Sequence, residues 1–169
     1  MKKDIVFPGF HSYENVLDIE ECQKFISDIK DTEYTASKNA PHSLLLEKNS
    51  TFFKFIEESI KPYLYDYFKD YNIFMDDDRG YMIMKYDQAM RLGGHSDDHG
   101  KYNDPKPRLS LVFYINENYD GGEIKFKNLD ISIKPKSNQL IIFPSSYLFF
   151  HTISKVTKGQ RFIITNFYS

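Results

Sequence analysis

Arg108-Leu109-Ser110-Leu111-Val112-Phe113-Tyr114-Ile115-Asn116, then Asp120-Gly121-Gly122-Glu123-Ile124-Lys125-Phe126, show how the C-terminal half of this chain is built. A short run of apolar, β-branched and aromatic residues ends at an Asp-Gly-Gly turn, and a second run follows. The same texture extends on both sides. Candidate strands are Tyr81–Tyr86, Gly94–Asp97, Leu109–Asn116, Glu123–Phe126, Ile131–Lys134, Gln139–Phe143, Tyr147–Ile153 and Arg161–Tyr168. Pro135-Lys136-Ser137-Asn138, Pro144-Ser145-Ser146 and Thr157-Lys158-Gly159 separate several of them. Such spacing predicts an all-β sandwich or double-sheet roll.

Upstream the period changes. Asp18 caps a helix in which Ile19, Cys22, Phe25, Ile26 and Ile29 form one apolar stripe. Ser50 caps a second helix carrying Phe52, Phe53, Ile56, Ile60, Leu64 and Phe68, and Pro62 is expected to bend or divide it. Residues 35–49 lack a period and read as a loop or irregular extended segment. The fold class expected is therefore mainly β with two N-terminal packing helices (α+β). One domain is expected over residues 1–169, with helical support over about 1–75 and the β core over about 80–168.

Composition narrows the function. The chain has 169 residues and a net charge of −2, which gives no basic footprint for nucleic acid. No segment has the ~18 uninterrupted apolar residues of a membrane span. Cys22 is the single cysteine, so a reducing, cytoplasmic location is the expectation.

The chemistry is concentrated in Gly93-Gly94-His95-Ser96-Asp97-Asp98 and in His151, which closes Phe143-Pro144-Ser145-Ser146-Tyr147-Leu148-Phe149-Phe150-His151. Residues i and i+2 of a strand share a face, so His95 and Asp97 can reach one ion. With His151 they make the two-His, one-carboxylate facial set suited to non-haem Fe(II). His99 reads as a loop residue near the mouth, and His11 and His42 as surface or core residues. Arg161 follows His151 by ten positions and precedes Phe162-Ile163-Ile164, a setting in which a buried guanidinium needs an anionic partner. If 147–153 and 161–168 paired as a hairpin, His151 and Arg161 would share a face, roughly 10–13 Å apart. A five-carbon diacid fills such a gap, and the planar fork of Arg grips its far carboxylate.

From about Tyr81 to Tyr168 the chain resembles the prolyl 4-hydroxylase-like branch of the Fe(II)/2-oxoglutarate-dependent dioxygenases. The resemblance rests on Lys85-Tyr86, His95-Ser96-Asp97, the Arg108–Asn116 run, Asp120–Phe126, Phe143-Pro144-Ser145-Ser146, His151 and Gly159-Gln160-Arg161-Phe162. It implies a double-stranded β-helix (a cupin-like jelly roll), with His95, Asp97 and His151 as iron ligands. It further implies that Arg161 pairs with the C5 carboxylate of 2-oxoglutarate, that Tyr114 hydrogen-bonds the same carboxylate, and that Tyr86 lines the co-substrate pocket. By the same resemblance Thr165, on the strand face of Arg161, is expected to add a direct or water-mediated contact. Many collagen-type relatives have Lys where this chain has Arg161, and the Arg resembles the oxygen-sensing relatives. The retained carboxylate of Asp97 favours hydroxylation over halogenation.

The reaction so implied hydroxylates an unactivated C–H bond, yields succinate and CO₂, and has ascorbate as a candidate reductant. A prolyl residue in a peptide or protein is the leading substrate, with residues 35–49 and the polar loop His99–Pro107 as candidate covers. Nucleic-acid demethylating relatives carry a second Arg six residues beyond the first, where this chain has Phe167. Two alternatives stand beside this one: hydroxylation of a free amino acid or other small molecule, and a non-catalytic metal-binding cupin-like module.

Overall fold

Leu109–Tyr114 is buried along its whole length, and the direction in which each residue points lays out the architecture. Leu109, Leu111 and Phe113 join one hydrophobic cluster, which includes the helices. Val112 and Tyr114 join a second cluster on the opposite face. A strand covered on both sides has no polar face to alternate with, which is why it reads as a continuous apolar run.

The computed structural model describes residues 2–29, 34–35, 40–98 and 106–169. In chain order the strands are β1 (Lys2–Phe7), β2 (Phe10–Glu14), β3 (His42–Leu45), β4 (Met82–Tyr86), β5 (Leu92–His95), β6 (Leu109–Tyr114) and β7 (Asp120–Gly121). They continue with β8 (Ile124–Phe126), β9 (Ile131–Ile133), β10 (Gln139–Pro144), β11 (His151–Ile153), β12 (Val156–Lys158) and β13 (Arg161–Tyr168). The helices are α1 (Ile19–Ile29) and α2 (Thr51–Tyr71). A seven-stranded sheet runs β1-β2-β10-β6-β13-β4-β3, a four-stranded sheet β5-β11-β8-β9, and β12 pairs with β7. All the pairings are antiparallel.

The helices cover the outer face of the large sheet. Phe53, Ile56, Ile60, Leu64 and Phe68 of α2 pack with Ile83, Leu111, Phe113, Leu140, Ile142 and Ile164. Ser50 caps α2 by accepting from the Phe53 amide at 3.1 Å, as expected. α2 is not divided at Pro62. The stripe it buries on the sheet outweighs the single hydrogen bond a proline removes.

Several other departures from the sequence reading concern strands whose partners are remote in sequence. β1 and β2 form a hairpin docked onto β10, and β3 lies inside the segment expected to be irregular. The strand expected over Tyr147–Ile153, which carries the second His, is shorter than expected. Tyr147–Phe149 is a 3₁₀ turn, and the strand begins at His151. The two-stranded hairpin expected from 147–153 and 161–168 does not form. β11 pairs with β5 and β8, whereas β13 pairs with β4 and β6. Between them β12 binds β7, and the chain crosses from the small sheet to the large one.

Candidate metal centre

His151 sits in the middle of the small sheet, directly opposite His95 of β5 on one side and Phe126 of β8 on the other. The two imidazole centroids are 4.4 Å apart. Asp97 lies two residues beyond His95, with its Oδ1 3.3 Å from His95 Nε2. One donor atom from each of His95, Asp97 and His151 lies within 4.8 Å of the other two. The three groups the sequence singled out therefore converge on one point.

Each ligand is oriented from behind. His95 Nδ1 donates to the Gly93 carbonyl at 2.9 Å, and His151 Nδ1 donates to the Phe149 carbonyl at 3.0 Å. A carbonyl can only accept, so these contacts fix the proton on Nδ1 and leave Nε2 with its lone pair toward the ion. Ser110 Oγ donates to Asp97 Oδ2 at 2.7 Å. Ser110 in turn accepts from Ser145 Oγ at 2.8 Å, since its own proton is committed. Burial works to raise the Asp97 carboxyl, but hydrogen bonds from His95 and Ser110 and the nearby His151 hold it below the usual carboxylate range. His95 is shifted up by Asp97, while burial shifts His151 down.

Arg161 enters from the opposite sheet. It is fully buried, and its guanidinium carbon stands 4.4 Å from the Tyr86 ring centroid and 5.3 Å from that of Tyr114. Tyr86 is its register partner on β4. Nε and both terminal nitrogens of Arg161 find no hydrogen-bond acceptor, nor does the Tyr114 hydroxyl find a partner. A permanently charged fork without an anion in an apolar core is costly. Its arrangement is that of a carboxylate receptor. Thr165 lies on the same strand face, with its hydroxyl 3.4 Å from the Met82 carbonyl. The triad, Arg161, Tyr86, Tyr114 and Thr165 all border one cavity of about 510 Å³ between the two sheets. His151 and Arg161 thus face one cavity from opposite walls.

Residues 81–169, just over half of the chain, match the 2OG-Fe(II) oxygenase superfamily. The chain belongs to that superfamily. Its members use Fe(II) and 2-oxoglutarate, and the donor set and the orphaned guanidinium described above fit both groups. A 57-residue stretch is 40% identical to mouse prolyl 3-hydroxylase 2, covering 31% of this chain and 8% of that protein. The fold superposes on viral collagen prolyl hydroxylase from Paramecium Bursaria Chlorella virus-1 with a TM-score of 0.78 and 16% identity, over 95% of both chains. It also superposes on a Pseudomonas putida prolyl-4-hydroxylase with a TM-score of 0.78 and 14% identity, over 95% of this chain and 91% of that one. The jelly-roll fold of these 2OG oxygenases is the one observed.

Within the 2OG oxygenase fold, the remaining histidines separate as follows. His11 is a core residue bonded to Tyr13 and Tyr71. His42 stands at the sheet edge, 3.3 Å from Asp87. His99 and most of the His99–Pro107 loop lie outside the described residues, as do residues 36–39. Sequence reasoning missed Ser110, although a lone hydroxyl in a fully apolar strand, at even spacing from Tyr114, was a signal for it. No helix among the described residues is long and apolar enough to cross a membrane.

Proposed function

We propose that this protein is a 2-oxoglutarate-dependent dioxygenase that hydroxylates a prolyl residue within a peptide or protein. The observation that carries this reading is the buried, unpartnered guanidinium of Arg161 facing the same cavity as the His95–Asp97–His151 set. His95, Asp97 and His151 would hold Fe(II), and Arg161 with Tyr114 would hold the far carboxylate of 2-oxoglutarate. When bound there, Fe(II) would supply oxygen activation, so that C–H hydroxylation would be coupled to conversion of 2-oxoglutarate and O₂ into succinate and CO₂.

The chain's own residues set the position of the reactants. The Nδ1 donations to Gly93 and Phe149 hold both imidazoles in the ligating tautomer, and Ser110 keeps Asp97 ionised and fixed. Arg161 and Tyr114 face the cavity from the large sheet, opposite the His95–His151 pair of the small one, so they would define which end of the diacid meets the iron. Tyr86 stacks on the guanidinium and limits its rotation. Met82, Met84, Leu92, Val112, Ile163 and Phe167 form an apolar lining, which suits a pyrrolidine ring and excludes bulk water.

A residue within a peptide is favoured over a free amino acid by charge. Among the described lining residues, the charged groups are Arg161 and the metal-binding set. Both are committed, and none is left to meet a free ammonium and carboxylate. The prolyl reading also draws on the similarity to collagen prolyl hydroxylase and prolyl 3-hydroxylase.

Adding Fe(II) and 2-oxoglutarate without oxygen should develop a visible metal-to-ligand charge-transfer band. Arg161→Ala should weaken 2-oxoglutarate binding at least about thirtyfold, the effect of removing one member of a buried charge pair. Admitting oxygen with proline-containing peptides should give succinate and a mass gain of one oxygen. A band that never forms would leave only a metal-binding module, and turnover confined to free amino acids would exclude the peptide substrate.

A further inference from the structure

Tyr119 follows the end of β6 and precedes the Asp120-Gly121-Gly122 turn, a position that predicts a surface loop. It is instead 95% buried, with 5% of its surface exposed, inside the cluster between the sheets. Its hydroxyl has no hydrogen-bond partner. A buried phenol without a partner costs free energy comparable to a lost hydrogen bond, so the position needs a reason.

Gly122 supplies one. Its backbone has φ +68°, and a Cβ there would stand 3.0 Å from both Arg161 Cδ and Tyr119 Cε2. The absence of a side chain at 122 is what lets the Tyr119 ring and the Arg161 stem pack side by side. Burial pushes the Tyr119 phenol up, opposed by the Arg161 charge beside it, so the group is a neutral O–H next to the guanidinium. The O–H can donate, and every nearby hydrogen of Arg161 also needs an acceptor. The phenol oxygen can accept from the guanidinium, but the phenol's own hydrogen finds no acceptor on Arg161, and an anion within reach of both groups supplies one.

We propose that Tyr119 is a third donor, beside Arg161 and Tyr114, to the carboxylate of 2-oxoglutarate farthest from the metal. This rests on the reading of Arg161 given above. Four of the five orphaned polar atoms of Arg161, Tyr114 and Tyr119 then share one explanation: two of the three Arg161 nitrogens, which a carboxylate engages as a fork, and the hydroxyls of Tyr114 and Tyr119. Arg161 and Tyr114 line the cavity and Tyr119 packs beside the Arg161 stem, so the three together would select for a terminal carboxylate at a set distance from the keto acid. Tyr119 is then a co-substrate specificity residue.

The test is calorimetric binding to Mn(II)-loaded protein, wild type against Tyr119→Phe. The probes are 2-oxoglutarate and 2-oxovalerate, a five-carbon 2-oxo acid without the second carboxylate. Tyr119→Phe keeps the ring and its packing. It should weaken 2-oxoglutarate about tenfold to a hundredfold, as loss of one hydrogen bond to a charged group does. Affinities for Mn(II) and for millimolar 2-oxovalerate should stay within about twofold. Equal losses for both acids indicate a packing role and overturn the proposal, as does no loss for 2-oxoglutarate. The parent reading fails separately. Wild-type protein that does not bind 2-oxoglutarate, or Arg161→Ala protein that binds it normally, removes Arg161 and Tyr119 together. Retained dependence on Arg161 with indifference to Tyr119→Phe removes Tyr119 alone.

Discussion

His151 and Phe126 are direct register partners across β11 and β8, and their ring centroids lie 5.5 Å apart. Phe126 is also edge-on to Phe10, Phe143 and Phe149, at 5.3, 5.1 and 6.0 Å. The second histidine of the metal set is therefore braced on an aromatic cluster that belongs to both sheets.

Removing that brace should cost both stability and metal affinity. Phe126→Ala is expected to destabilise the fold by about 3–5 kcal/mol, the usual range for truncating a buried Phe. Urea unfolding reads the first effect and Mn(II) titration the second. Unchanged Mn(II) affinity in the folded variant would show that His151 is positioned by backbone alone.

Ser110 tests the support of the carboxylate. Ser110→Ala removes the donor 2.7 Å from Asp97 Oδ2 and leaves the strand otherwise intact. Metal affinity should fall about 10–100-fold, the range for outer-sphere partners. Thermal stability should change little by comparison.

His11 makes acid stability measurable. Its imidazole is enclosed by Tyr13, Tyr67 and Tyr71, with Lys3, Asp66 and Asp70 nearby. Burial, and then Lys3, shifts it below the ordinary histidine value of 6.5. The unfolded chain thus takes up a proton that the folded chain resists. The stability held by neutral His11 is present above pH 6.5 and is lost as pH falls below it, toward the folded-state value. Between pH 7.5 and 5.5, wild-type unfolding free energy should fall more steeply than that of His11→Gln. His151 shifts in the same direction but is common to both proteins. Parallel pH profiles would show that His11 is not the group responsible.

Asn138 offers a control far from the chemistry. It has φ +58°, its Oδ1 accepts from the Leu17 amide at 2.7 Å, and its Nδ2 donates to the Leu17 carbonyl. Asn138→Ala should cost about 1–3 kcal/mol, because two backbone groups lose their partner and Ala tolerates left-handed backbone poorly. Mn(II) and 2-oxoglutarate affinities should be unaffected, which equilibrium unfolding and calorimetry together can verify.

Much of this protein was settled by local order in the chain. The i/i+2 spacing of His95 and Asp97, the runs of strand-forming residues between turn residues, and the Asp18 and Ser50 caps act over a few residues, so they are legible without coordinates. The charge of Arg161 in an apolar run likewise announced a buried anion site. Tertiary structure alone decided which sheet each strand joins. That choice put His151 and Arg161 on opposite walls instead of one hairpin, drew β1, β2 and β3 into the large sheet, and brought Ser110 to Asp97 and Tyr119 beside the Arg161 stem. Strand partners are selected by packing both faces of the sheet at once, a condition set by residues tens of positions away. No local pattern carries that information.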